Sequence, residues 1–117
     1  MVGRLAAAID AHDWDALPGL LHPGFTCRYV HTGERFDGPA WVRLNAEYPG
    51  FQSFTLEDAI GHGDRAAGRG HVVGVVDGAE QHFEVASFLT LDDGLIRDLV
   101  EVWTDVDQAP PEGSRPV

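Results

Sequence analysis

Apolar and polar residues alternate through most of the second half of the chain, and this predicts long strands. In Gln81–Leu91 one set is Phe83, Val85, Ser87, Leu89 and Leu91. It is apolar except for Ser87, so it belongs to the core face. The other set contains Phe88, which suits a partner surface better than water. Leu95–Asp105 is ambiguous, because Leu95, Leu99, Glu101 and Trp103 form one set and Ile96, Val100 and Val102 fall in the other. The turn decides the face. A three-residue loop Asp92-Asp93-Gly94, with the glycine left-handed, is a favoured hairpin connection. It sets Ser87 opposite Leu99, Val85 opposite Glu101 and Phe83 opposite Trp103, with Glu101 inward. A two-residue Asp93-Gly94 turn instead sends every side chain of the second strand to the other face. The three-residue loop is the expectation adopted. The hairpin Ala79 to Asp105 then forms the back wall of a cone-shaped pocket lined by Phe83, Val85, Ser87, Leu89, Leu99, Glu101 and Trp103.

The first half reads differently. Val2, Leu5, Ala6 and Ile9 have helical spacing. Asp13 can cap a second helix, Trp14–Leu21, which His22-Pro23-Gly24 stops. Phe25–His31 alternates as a strand, with Phe25, Cys27, Tyr29 and His31 on the inward set. Glu34–Phe36 returns as a short strand. Asp37 or Gly38 caps a third helix with Pro39 in its first turn, running to about Tyr48. Its face is Trp41, Leu44, Asn45 and Tyr48. In Phe51–Ile60 the set Phe54, Leu56, Asp58, Ile60 shares a side, with Asp58 the odd acid. Arg65–Val76 follows and closes on Asp77-Gly78, a strong two-residue hairpin signal. That turn pairs Val72 with Phe83, Gly70 with Val85, Gly68 with Ser87 and His71 with Glu84. The inward glycines either leave room for a ligand or mark a bend or bulge. Asp107–Val117 holds three of the seven prolines and reads as a tail. The fold expected is α+β, a curved antiparallel sheet packed on three N-terminal helices.

The chain's 117 residues suffice for one domain with one core. Its formal net charge is −11, and all eight bases are arginine. Such a surface repels nucleic acid and anionic membranes. Cys27 is the single cysteine, which excludes an internal disulfide and is best read as a small buried hydrophobe. There is neither a membrane-length apolar run nor a signal-peptide pattern, so a cytoplasmic location is expected. The histidines show no spacing that gathers three ligands, so no metal is expected, and no cofactor fingerprint is present.

Four phrases, AAAIDAHDWDALPGLLHPGF, FDGPAWV, GDRAAGRGHV and DDGLIRDLVEVWTDVDQAPP, span nearly the whole chain. They resemble the nuclear-transport-factor-2-like superfamily, in particular its SnoaL-like branch of ketosteroid isomerases, polyketide cyclases, epoxide hydrolases and dehydratases. The resemblance implies a cystatin-like α+β barrel with a hydrophobic pocket, and a homodimer joined through the outer sheet face, which fits Phe88 and Val73. It also implies positions for the isomerase apparatus: the general-base aspartate falls at Tyr29, the oxyanion tyrosine at Leu5 and the protonated aspartate at Ser87. None of the three is retained. The Asp-Arg-Asp pattern of the epoxide hydrolases is not evident either.

The candidate residues each have two readings. Glu101, if inward, is a desolvated carboxyl suited to proton transfer; otherwise it is a surface acid or one held by an arginine. Tyr29 either donates to a carbonyl oxygen or packs with a wet hydroxyl. His31 either shuttles a proton or sits solvated at a loop edge. Asp58 is a second pocket acid, or a bulge turns it to solvent. Ser87 binds a ligand atom or a neighbouring backbone group. Trp41, Tyr48 and Trp103 wall the pocket or fill it. Two functions follow. One is a cofactor-independent isomerase, cyclase or dehydratase acting on a small apolar carbonyl compound. The other is a non-catalytic ligand-binding or dimerisation module.

Overall fold

The computed structural model describes residues 1–116, so Val117 of the expected tail lies outside the described residues. Helix α1 (Val2–Asp10) buries Val2, Leu5, Ala6 and Ile9, the face its spacing predicts. The second expected helix is a correction: only a single 3-10 turn forms, Leu17–Leu20. Asp13 does accept from the Ala16 N–H at 3.2 Å. Pro18 then supplies no donor and Gly19 favours the unfolded chain, so no further turn is added. The described residues therefore form two α-helices, the other being α2 (Gly38–Ala46), capped by the Asp37 carboxylate on the Ala40 N–H at 2.9 Å.

Strand β1 (Leu21–Tyr29) starts earlier than expected and takes in His22-Pro23-Gly24 at an irregularity before Thr26. The other strands are β2 (Arg35–Asp37), β3 (Phe51–His62), β4 (Arg65–Val76), β5 (Ala79–Asp92) and β6 (Leu95–Asp105). They form one sheet in the order β2-β1-β6-β5-β4-β3. It is mixed rather than purely antiparallel, because β1 runs parallel to β6. The helices lie before and between the early strands, which lets β1 close onto the last strand. The core sits between α1, the 3-10 turn and the inner sheet face, around Leu17, Phe25, Leu89, Ile96 and Leu99.

The Asp77-Gly78 turn has both residues at positive φ, 52° and 76°, as a primed two-residue turn requires. It delivers the expected register: Val72 faces Phe83, Gly70 faces Val85, Gly68 faces Ser87 and His71 faces Glu84. The inward glycines leave no room for a ligand. A Cβ on Gly70 would lie 2.3 Å from the Phe54 ring, and one on Gly68 would lie 2.5 Å from Val2. Protein side chains fill that space.

The second hairpin corrects the sequence-based register. Asp93 and Gly94 both have positive φ, 55° and 75°, so the turn is the two-residue one, with Asp92 opposite Leu95 and Leu91 opposite Ile96. Arg97 then has no partner, and pairing resumes with Thr90 opposite Asp98. This bulge returns the strand to the phase the longer loop would have given. Ser87 faces Glu101, Val85 faces Trp103 and Phe83 faces Asp105. Glu101 is inward by a route the alternation does not show.

Candidate functional site

A cavity of about 450 Å³ opens between α2, the inner sheet face and the start of the C-terminal segment. Helix α2 supplies Trp41, Leu44 and Asn45 to it, and Tyr48 follows just beyond, so the helical face read from spacing is the cavity wall. Strand β1 supplies Tyr29, with His31 just after it, and β6 supplies Glu101 and Trp103. Of the inward hairpin set only Phe83, Glu101 and Trp103 reach the cavity. Val85, Ser87, Leu89 and Leu99 are buried behind it, a correction to their expected place on the pocket wall.

Glu101 is 4 % exposed and is one of two buried polar side chains in the core, the other being Ser87. The Ser87 hydroxyl donates to Glu101 Oε2 at 2.5 Å, and the Trp103 indole N–H donates to Oε1 at 3.3 Å. Neither donor is charged, and among the described residues no arginine pairs with this carboxyl. Burial pushes its pKa up to about 7, against the pull of those two hydrogen bonds. The carboxyl is therefore shared between its acid and base forms near neutrality. Ser87 spends its hydroxyl on Glu101 and does not line the cavity, so it positions the acid instead of touching an occupant.

Tyr29 is 9 % exposed, and its oxygen accepts from the Trp41 indole N–H at 3.3 Å. Among the described residues no protein group accepts the Tyr29 O–H proton, which leaves it available to an occupant. Burial, and secondarily the nearby Glu101, push this phenol far above its usual range, so it stays a neutral donor. The same two causes push the Cys27 thiol up, opposite to what a nucleophile needs, and its side chain is packed in the core. His31 lies exposed at the mouth, its ring stacked on Tyr29 at 5.4 Å and its Nδ1 accepting from the Trp103 N–H at 3.3 Å. Tyr48 is exposed at the same rim.

Asp58 is not in the site. Pairing jumps from Leu56 opposite Gly70 to Asp58 opposite Arg69, leaving Glu57 unpaired. That bulge inverts the rest of β3, so Asp58 and Ile60 face out and are exposed. The spacing also missed Ile9, Phe51, Phe54 and Val72 in the wall and Glu34 and Asp105 at the mouth. Asp105 shares the alternation of Glu101 and Trp103, a signal that was available; Glu34 lies in a turn and had none.

The outer sheet face carries the His71–Glu84 pair expected from the register, at 2.7 Å. His71 Nε2 meets His82 Nδ1 at 2.7 Å, and His82 Nε2 meets Glu80 at 3.0 Å. Strand pairing thus gathers Glu57, His71 and Glu84 with ligand-type atoms within 4.8 Å, which sequence spacing did not reveal. The Arg69 guanidinium already bridges the two carboxylates, at 2.9 Å from Glu57 and 2.6 Å from Glu84. Both carboxylates therefore already have a protein cation as partner.

Residues 2–99 match the family model described as the SnoaL-like domain. The chain belongs to this family. The match ends just before Glu101, so family membership carries the frame and not the acid. Three solved structures share the fold. A provisionally assigned ketosteroid isomerase from Kribbella flavida DSM 17836 is 23% identical, with a TM-score of 0.80 over 94% of this chain and 79% of that one. An NTF-2-like protein of unknown function from Burkholderia xenovorans LB400 is 20% identical, with a TM-score of 0.75 over 94% and 84%. A provisionally assigned SnoaL-like polyketide cyclase from Jannaschia sp. CCS1 is 19% identical, with a TM-score of 0.75 over 87% and 81%. No functionally curated protein matches the sequence. Among the described residues no helix is long and apolar enough to cross a membrane.

Proposed function

We propose that the cavity binds a small, largely apolar carbonyl compound and that Glu101 moves a proton on it without a cofactor. The observation that carries this reading is a buried carboxyl that lines a cavity, has no cationic partner among the described residues, and is pushed up to about 7 by its burial. Its carboxylate form takes a proton from the carbon next to the carbonyl. The Tyr29 O–H donates to the oxygen as negative charge develops there, which is worth most in a site closed to water. The resulting Glu101 acid returns the proton to another carbon, giving isomerisation, or to a departing oxygen, giving dehydration. The aromatic walls from Trp41 and Trp103 orient the substrate, and His31 at the mouth relays protons to solvent. The positions where the isomerase apparatus aligns hold Leu5, Tyr29 and Ser87, so the proton carrier sits on a different strand from that family's base.

The test needs no natural substrate. A panel of small cyclic ketones and enones in deuterium oxide is followed by NMR for exchange next to the carbonyl. Exchange catalysed by the protein is expected, lost in Glu101→Gln and lowered roughly 100-fold in Tyr29→Phe. Exchange unchanged in Glu101→Gln defeats the assignment.

A second reading has its own support. The outer sheet face exposes Phe88 at 47 %, Val102 at 40 % and Val30 at 45 %, an apolar strip that suits a second copy of the chain. Dimerisation through that face is compatible with a catalytic or a purely ligand-binding pocket. Sedimentation with Phe88→Glu tests it: the wild type is expected to run as a dimer and the variant as a monomer.

A further inference from the structure

The walls of the cavity have a charge character that its shape does not require. Three carboxylates line it: Glu101 deep in the cavity, and Glu34 and Asp105 at the exposed mouth. Among the described residues no arginine lines it, and His31 is the one titratable nitrogen there. Seven of the lining side chains are aromatic: Tyr29, Trp41, Tyr48, Phe51, Phe54, Phe83 and Trp103.

These two features select against the same class of molecule. Carboxylates oppose an anionic occupant, and so does the electron-rich face of every ring. The whole-chain charge of −11 lowers the local concentration of anions further. The same features favour one class: an organic cation, whose charge is met by carboxylates and ring faces and whose carbon groups are met by apolar walls. Acid without base inside a ring-walled cavity is the composition that recognises ammonium groups. A cavity meant only for a neutral ketone needs one acid and one donor, Glu101 and Tyr29, and leaves Glu34 and Asp105 without a task.

We propose that the natural occupant of this cavity carries a positively charged amine or quaternary ammonium group. The inference rests on the pocket reading above and narrows it to carbonyl compounds with a cationic nitrogen. The Glu34 and Asp105 carboxylates draw the cation to the mouth, and the rings hold it while the apolar remainder reaches Glu101. Carboxylate- or phosphate-bearing metabolites are excluded by the same walls.

The test is an isosteric pair. Benzyltrimethylammonium and neopentylbenzene have the same shape and differ by one charge. Binding is read from the fluorescence of Trp41 and Trp103 and by calorimetry. The ammonium is expected to bind at least tenfold more tightly than the hydrocarbon, and benzylphosphonate not at all. In Glu34→Gln/Glu101→Gln/Asp105→Asn the preference is expected to fall by about threefold or more, to what the ring faces alone supply, while the hydrocarbon still binds, which also reports that the variant keeps its pocket. If the hydrocarbon binds the wild type as well as the ammonium does, the charge inference is overturned and the pocket reading survives. A preference undiminished in the triple variant shows that the three carboxylates do not recognise the cation and overturns it too. If neither probe binds the wild type, the charge inference falls, and the pocket reading is decided by the exchange test on ketones.

Discussion

Ser87 stands directly opposite Glu101 on the adjacent strand and gives its hydroxyl proton to Glu101 Oε2 at 2.5 Å. Among the described residues these are the two buried polar side chains of the core, and each accounts for the other. A buried carboxyl without a hydrogen-bond donor costs more than the fold can easily spare. A neutral donor satisfies the oxygen without fixing the charge, as an arginine would. That distinction separates a titrating acid from a structural ion pair.

Glu101 makes stability depend on pH. Its ordinary value is 4.5 and its folded value about 7, so the folded chain holds this proton more tightly than the unfolded one. The contribution is fully present below pH 4.5 and is lost as pH rises through about 7. The gap amounts to about 3 kcal/mol. In Glu101→Gln the amide fits the same partners, accepting from Trp103 and donating to Ser87. Urea unfolding at pH 8 is expected to find the variant more stable than wild type by about 2–3 kcal/mol, with the difference shrinking toward pH 4.5. A difference independent of pH means that the acid is not desolvated.

Ser87→Ala removes one of the two hydrogen bonds that hold the Glu101 carboxyl down. The carboxyl is expected to titrate above its wild-type value, followed by carbon-13 NMR of its side chain. Stability at pH 8 falls by about 1–3 kcal/mol, because a charged oxygen loses its partner. A downward movement contradicts the assigned role of Ser87.

Gly70 exists to admit Phe54, whose ring atom lies 2.3 Å from where a Cβ would stand. Gly70→Ala is expected to cost about 1–3 kcal/mol by overpacking. Adding Phe54→Leu recovers part of that cost, so the two changes are non-additive in thermal or urea melts. Additive losses would show that the ring does not need the glycine.

Deleting Arg97 removes the bulge in β6. Ile96, Asp98 and Leu99 then keep Leu91, Thr90 and Leu89 as partners in an unbroken ladder, so Leu99, Glu101 and Trp103 stay on the inner face. A loss of about 0.5–3 kcal/mol from the changed local twist is expected, with the cooperative urea transition kept; loss of that transition would show that the inward phase depends on the bulge itself. Arg97→Ala keeps the residue count and changes stability by less than about 0.5 kcal/mol, so comparing the two isolates the backbone effect.

Two acids in β3 and β6 show where sequence reading stopped. Alternation placed both Asp58 and Glu101 inward, and a bulge intervenes before each. The bulge at Glu57 turns Asp58 out to the Arg69 side; the bulge at Arg97 brings Glu101 in after a turn that alone would have turned it out. The sequence shows only that Ile96 and Leu99, three apart, are both large and apolar; the structure buries both, at 0 % and 1 %. A regular strand cannot place residues three apart on one face. Nothing comparable marks the bulge at Glu57.

Local chemistry written into a few consecutive residues determined the first helix, the Asp37 cap with its cavity-facing helix, and the Asp77-Gly78 hairpin with its full register. These depend on propensities and hydrogen bonds between near neighbours, which the sequence displays directly. The truncated second helix was equally local, since Pro18-Gly19 are in plain view, although the apolar spacing around them outweighed that warning. Only the tertiary structure decided which carboxyl entered the cavity and that Ser87 supports it from behind. A bulge forms where two strands of a curved sheet must both keep their apolar sets on the core, and that balance is settled between segments far apart in the chain.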